Sequence, residues 1–271
     1  MIFQLNWPEG GAHCAGTRMS TTEIRTPPND LAFLRNLVTV MAVVEVAGFV
    51  LQLAMGRSSF GAPLIVHLHA VTFMGWVAIV VAQAWLASGG ALRLHRTLGG
   101  VALVWMLALV VLGPLVTLAA VRTGRTPFFF QPQHFVVANP ATLLGAVGLF
   151  VAAVALRRDR DWHMRLQVGS FTMLMGPGLG RILPLPFLKP YAFEVAAGAA
   201  VIFPLIGLAR DWRVRGRPHP AWLSTIGVLA ASLIGARVLA LSSAGDAIYA
   251  VAAKGAPAAQ ADGRAFPKPP F

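Results

Sequence analysis

This sequence predicts an all-α fold: a polytopic membrane helix bundle of about seven transmembrane helices. Three observations predict it. Of 271 residues, 56% are hydrophobic and only 12% charged, and mean hydropathy is +0.68, more apolar than a soluble domain carries. Apolar runs recur along the chain at the ~20 residues needed to cross ~30 Å of hydrocarbon. Short basic breaks separate them.

The first segment, 1–33, reads as a flexible cytoplasmic arm, because Pro8, Gly10, Gly11, Pro27 and Pro28 oppose regular structure. It has no apolar core of a cleavable signal peptide, so the first helix must act as its own insertion signal. Met19 is a second plausible start, which would make residues 1–18 an upstream extension. The transmembrane domain is expected over 34–242. Its first run, 34–55, ends in the turn-rich GRSSFGAP; the second, 64–87, ends at the break holding Arg93, His95 and Arg96. The third, 98–121, gives way to RTGRTPFFFQPQ, whose Phe128, Phe129 and Phe130 suit a membrane interface. The fourth is 135–156, the fifth 167–188, the sixth 191–209 and the seventh 221–241. Helices two to five, 64–188, form the expected four-helix core. The Ala-, Pro- and Gly-rich tail, 243–271, reads as largely disordered.

Orientation follows from the arginines. Thirteen of them, from Arg18 through Arg217, collect on one side of these spans; Arg57, Arg122, Arg125, Lys189, Lys254, Arg264 and Lys268 lie on the other. The richer side is cytoplasmic, which puts the N-terminus inside and the C-terminus in the periplasm of a bacterial inner membrane. The formal charge of +12 is thereby a topology signal, and no nucleic acid is expected as a partner. The fifth run contains MGPGLGRILPLP, and a re-entrant path there would flip the tail. Cys14 is the only cysteine, which excludes an intramolecular disulfide, a Cys-rich zinc site and an iron–sulfur cluster built from this chain.

Ionisable groups within apolar runs are expensive and become functional candidates. Glu45 and Gln52 fall on one face of the first helix. Arg181 lies deep in the fifth run and Glu194 opens the sixth; an Arg181 pair with Glu194 or Glu45 is expected. Arg237 reads as a snorkelling anchor. In the second helix His69, Thr72, Trp76 and Gln83 share a stripe, and His67 points away. In the fifth, His163, Gln167, Ser170, Leu174, Pro177 and Arg181 recur at helical spacing, with ~27 Å between the two ends.

Four histidines sit at helix ends, His69 and His134 on the outer side, His95 and His163 on the inner. Neutral imidazole is a good axial ligand, and two facing helices can bracket a porphyrin. One pair per face would bind haem b through its iron and carry electrons across the membrane. Two other readings compete: a transporter or ligand-sensing receptor with a polar cavity around Glu45, Gln52, His69 and Arg181, and a non-catalytic assembly subunit of a larger complex. No P-loop, G-x-S-x-G elbow or H-E-x-x-H is present, so no hydrolase or transferase is assigned and a redox partner is the expected one.

LHRTLGG at 94–100 and HMRLQVGSFTMLMGPGLGR at 163–181 resemble elements of the multi-pass bacterial proteins grouped as domain of unknown function 2306. The likeness covers about 64–183 through His95, Arg96, Leu98, Gly99, His163, Met164, Arg165 and Arg181. It implies an inner-membrane protein and supplies no activity. The alternating histidines also look like the cytochrome b561 arrangement, a four-helix di-haem electron carrier.

Overall fold

In the computed structural model, residues 28–57 and 60–269 are described; the expected N-terminal arm, apart from its last residues, and the Met19 start lie outside them. Among the described residues there is no strand. Six helical stretches are long and apolar enough to cross a membrane. Four are single helices of 21 to 31 residues: α2 (Leu64–Ser88), α3 (Leu92–Arg122), α4 (Pro132–Ala155) and α9 (Pro220–Ala240), and α1 (Pro28–Ala54) supplies a fifth. The sixth joins α7 (Ala192–Gly198) to α8 (Ile202–Arg215) through a 3₁₀ turn. Large apolar side chains remain exposed along their outer faces, such as Val40, Val43 and Val50 on α1, Val104, Leu107 and Val111 on α3, and Ile234 and Val238 on α9. Water cannot be the solvent for such a surface. The chain is an all-α, multi-pass membrane protein.

The expected fifth helix, 167–188, does not form as one rod. Helix α5 (Arg160–Met173) ends where Leu174 and Met175 donate to carbonyls three residues back, tightening the last turn. A second helix, α6 (Gly176–Ile182), then starts with Pro177 in its first turn, where the missing N–H costs nothing. Pro184 and a 3₁₀ turn, Leu185–Leu188, end it. The broken element nevertheless runs the length of the bundle. Arg165 of α5 meets Asp30 at the start of α1, and the Arg181 carbonyl of α6 accepts from Gln52 near the end of α1. Its irregular middle is buried among helices, which is the condition for breaking a helix at membrane depth.

Sequence order sets two ends. The starts of α1, α3, α5 and α9 and the ends of α2, α4 and α8 share the arginine-rich end; the others share the opposite end. Trp76, Met41, Phe171 and Trp222 are fully enclosed between them, with Trp76 edge-on to Phe150. The tail, expected to be disordered, folds as α10 (Ser243–Ala253) followed by a 3₁₀ turn and packs over the opposite end. Arg122 donates to the Ala252 and Lys254 carbonyls, and Gln131 donates to the Arg264 carbonyl. Composition pointed to disorder there because Ala and Gly bury little area, but these side chain to backbone bonds hold the segment down.

Candidate functional site

At the arginine-rich end, charges counted as topology signals form a buried network. Arg165, 1% exposed, grips Asp211 with two parallel bonds, Nε to Oδ2 at 2.8 Å and Nη2 to Oδ1 at 2.9 Å, and reaches Asp30 at 3.3 Å. Arg210 meets Asp30 at 2.5 Å; Arg215 pairs with Asp30 and, at 2.7 Å, with Asp161. Trp222 Nε1 donates to Asp211 at 2.8 Å. Three arginines thus face three aspartates across α1, α5 and α8, with Trp222 joining from α9. Sequence reasoning missed these aspartates. The available signal was scarcity: the chain has only 10 acidic residues, Asp161 and Asp211 stand within basic stretches, and Asp30 lies midway between Arg25 and Arg35.

Near this network the structure brings together one expected histidine pair. His95, at the start of α3, and His163, at the start of α5, have ring centres 6.3 Å apart with planes at 86°. Each ring is oriented by the same device: the Nδ1 of His95 lies 3.2 Å from the Gln83 carbonyl of α2, and that of His163 lies 2.8 Å from the Ala153 carbonyl of α4. Donation from Nδ1 to these carbonyls leaves Nε2 as the unprotonated nitrogen of each ring. The Gln83 side chain, on the same turn, has a buried Oε1 with no hydrogen-bond partner. Two imidazoles sharing one metal atom through facing nitrogens have centres roughly 6 Å apart, from a metal–nitrogen bond of ~2.0–2.1 Å on either side plus the ring radius. Backbone carbonyls on the distal nitrogens are the usual outer-shell partners of ligating histidines.

The other expected pair is not assembled. His69 of α2 stacks beside Phe73 with its Nδ1 buried and unpartnered. His134 of α4 lies against Phe193 and 3.5 Å from Glu194. No ring contact or hydrogen bond joins the two. Glu194 also binds Arg237 at 3.3 Å, so Arg237, expected to be a snorkelling anchor, completes a His134, Glu194, Arg237 group and covers Tyr191. Arg181 therefore does not pair with Glu194. It donates to the Pro177 carbonyl at 2.6 Å and lies 3.8 Å over the Phe49 ring, and no salt bridge joins it to Glu45.

Glu45 is fully buried, and neither carboxylate oxygen has a hydrogen-bond partner. Among the described residues no three of His, Cys, Asp and Glu converge on a metal-ion site, so ligation of a metal here is a matter of pairs. Comparison with protein-family models, with curated proteins and with solved structures returned no match to this chain.

Proposed function

We propose that this protein is a haem b protein of a bacterial cytoplasmic membrane that passes electrons through an iron held between His95 and His163. The pair carries the reading, because two imidazoles on separate helices lie with ring centres 6.3 Å apart, and an Nδ1 fixed on a backbone carbonyl leaves the Nε2 of each ring free. When bound, haem supplies reversible one-electron chemistry at its iron. The chain would supply the Nε2 atoms of His95 and His163, on separate helices, to hold it, and the Gln83 and Ala153 carbonyls that fix their tautomer. Arg93, Arg96, Arg157 and Arg158 flank the histidines in sequence and give positive charge suited to a carboxylated ligand. The four groups that build the pair come from α2, α3, α4 and α5, in keeping with a four-helix core. Counting α5 and α6 as a discontinuous seventh crossing keeps the arginine-rich end cytoplasmic and puts the tail in the periplasm. A redox partner would then dock at the cytoplasmic face.

The test is the visible spectrum of detergent-purified protein from a haem-replete host. A Soret band and a sharpened α-band on dithionite reduction are expected, lost in His95→Ala and in His163→Ala and retained in His69→Ala and His134→Ala. A colourless, iron-free wild-type preparation would end the reading.

The unpartnered Glu45 favours a second reading, a transporter or ligand-sensing receptor around Glu45, His69 and Arg181. It predicts ligand-dependent thermal shifts that vanish in Arg181→Ala; shifts unchanged in that variant count against it.

A further inference from the structure

Glu45 sits fifteen residues into the bundle from Asp30, ~22 Å along α1, so the ion network cannot neutralise it. It is sealed by glycine. A Cβ built on Gly178 would stand 2.4 Å from Glu45 Oε2, and one built on Gly48 would stand 2.3 Å from the Gly178 carbonyl oxygen. The backbones of α1 and α6 touch there, with the carboxyl closed between them. The ionisable groups facing this stretch of α1 are few. His69 faces it from α2, with Phe73 and Phe49 between them at ring separations of 6.1 Å each. From α6 comes Arg181, held on Phe49 and on the Pro177 carbonyl. On α5 the charged group facing α1 is Arg165, committed to Asp30 and Asp211 at the far end.

An ionised carboxylate with no donor in such a place is the costliest state available to it, and the neutral acid avoids that cost. A neutral acid one helical turn along α1 from Phe49, on whose ring the Arg181 guanidinium rests, is also poised to lose its proton if the two meet. We propose that Glu45 is a proton-binding site, loaded and unloaded through the α1–α6 seam from the end of the bundle that carries Gln52. On unloading, the O–H bond of the carboxyl breaks, the proton passes to water at that end, and the carboxylate takes Arg181 from the Pro177 carbonyl. Helix α6 allows this movement because it is only seven residues long, bounded by the break at 174–175 and by Pro184. Its side-chain ties to α1 in this stretch are the Gln52 amide on the Arg181 carbonyl at 3.0 Å and the Arg181 guanidinium on the Phe49 ring. The assignment rests on this geometry alone and stands whether or not iron binds between His95 and His163.

Infrared difference spectroscopy of the full chain in lipid, titrated from acid to alkaline pH in H₂O and in D₂O, tests it with the proton as probe. The expected result is a carbonyl band of a protonated carboxylic acid that disappears at alkaline pH and shifts in D₂O. It is absent in Glu45→Gln and kept in Glu194→Gln. In Arg181→Gln the band should persist to at least a tenfold lower proton concentration. Should Glu45→Gln fail to fold, ¹³C-glutamate labelling of the Glu194→Gln protein identifies the band instead. No such band, or one that neither titrates nor exchanges, overturns the proposal and leaves Glu45 a sealed structural group.

Discussion

Arg165 and Asp211 face each other in a two-pronged ion pair at 2.8 and 2.9 Å, with both side chains almost wholly enclosed. Removing one partner strands the other. Arg165→Ala leaves Asp30 and Asp211 buried with too little positive charge, and breaking a buried pair in this way costs ~3–5 kcal/mol. Reversible unfolding in mixed micelles should show that loss. Asp161→Asn, at the wetter edge of the same network, should cost much less, and equal losses would mean that the network acts as a single unit.

The α1–α6 contact gives a second expectation. Gly48→Ala forces a methyl against the backbone carbonyl of Gly178, and backbone cannot swing aside as a side chain can. Overpacking of this kind costs ~1–3 kcal/mol. Gly148 in α4 is the control, since nothing lies within 4 Å of the Cβ position there. Gly148→Ala should be neutral or stabilising by up to ~1 kcal/mol through helix propensity. Thermal unfolding of the two variants side by side decides it.

Hydropathy located the elements well where a helix is apolar throughout. The expected runs 64–87 and 221–241 match Leu64–Ser88 and Pro220–Ala240 within a residue or so. It missed the first turns of α3, because Leu92–His95 alternate apolar and basic residues at a surface, where the helix continues although the hydrocarbon does not. Hydropathy alone runs through the interruption at 174–175, since Leu174 and Met175 are as apolar as their neighbours, and the signal lay in Gly176, Pro177, Gly178 and Gly180, which marked the segment as irregular without fixing where the helix breaks. Helix-end position was enough to pair His95 with His163. It failed for His69 and His134, because a shared membrane face does not fix which helices touch. The aspartate network was least legible: Asp30 and Arg215 stand 185 residues apart, and only the packing of α1, α5 and α8 brings them together.

The docked tail should release in acid. Asp246 accepts from Gln133 at 2.8 Å and from Arg264 at 2.6 Å, and these bonds, Gln133 first, hold its carboxyl below the ordinary aspartate range. A carboxyl depressed in the folded state contributes stability that is present above its unfolded value, ~3.9, and is lost as pH falls through the folded one. Hydrogen-exchange protection over residues 243–269, measured against the intrinsic rate at each pH, should therefore fall below about pH 4, sooner at high salt because the pair is exposed. Asp246→Asn should show low protection at every pH. Tail protection unaffected by acid would show that Asp246 does not hold it.

His219 supplies a pH response near neutrality, and its sign is opposite to that of a histidine held by a carboxylate. Its Nδ1 accepts from the Ala221 N–H at 3.2 Å and so caps α9, and its ring stands edge-on to Trp162 at 5.1 Å. Accepting at Nδ1 requires the neutral ring with its proton on Nε2. Burial, with Arg165 next in weight, lowers its pKa below the usual histidine value. Between the folded value and ~6.5 the unfolded chain holds a proton that the folded chain lacks, so stability rises with pH across that window. The cap's contribution is complete above ~6.5, declines as the pH drops below it, and is gone once the pH lies under the folded value. His219→Asn keeps a capping acceptor that does not titrate. The slope of unfolding midpoint against pH between about 5 and 7 should flatten in that variant, while its midpoint at pH 7.5 stays near wild type. An unchanged slope would assign the titration to another group and leave His219 as packing for Trp162.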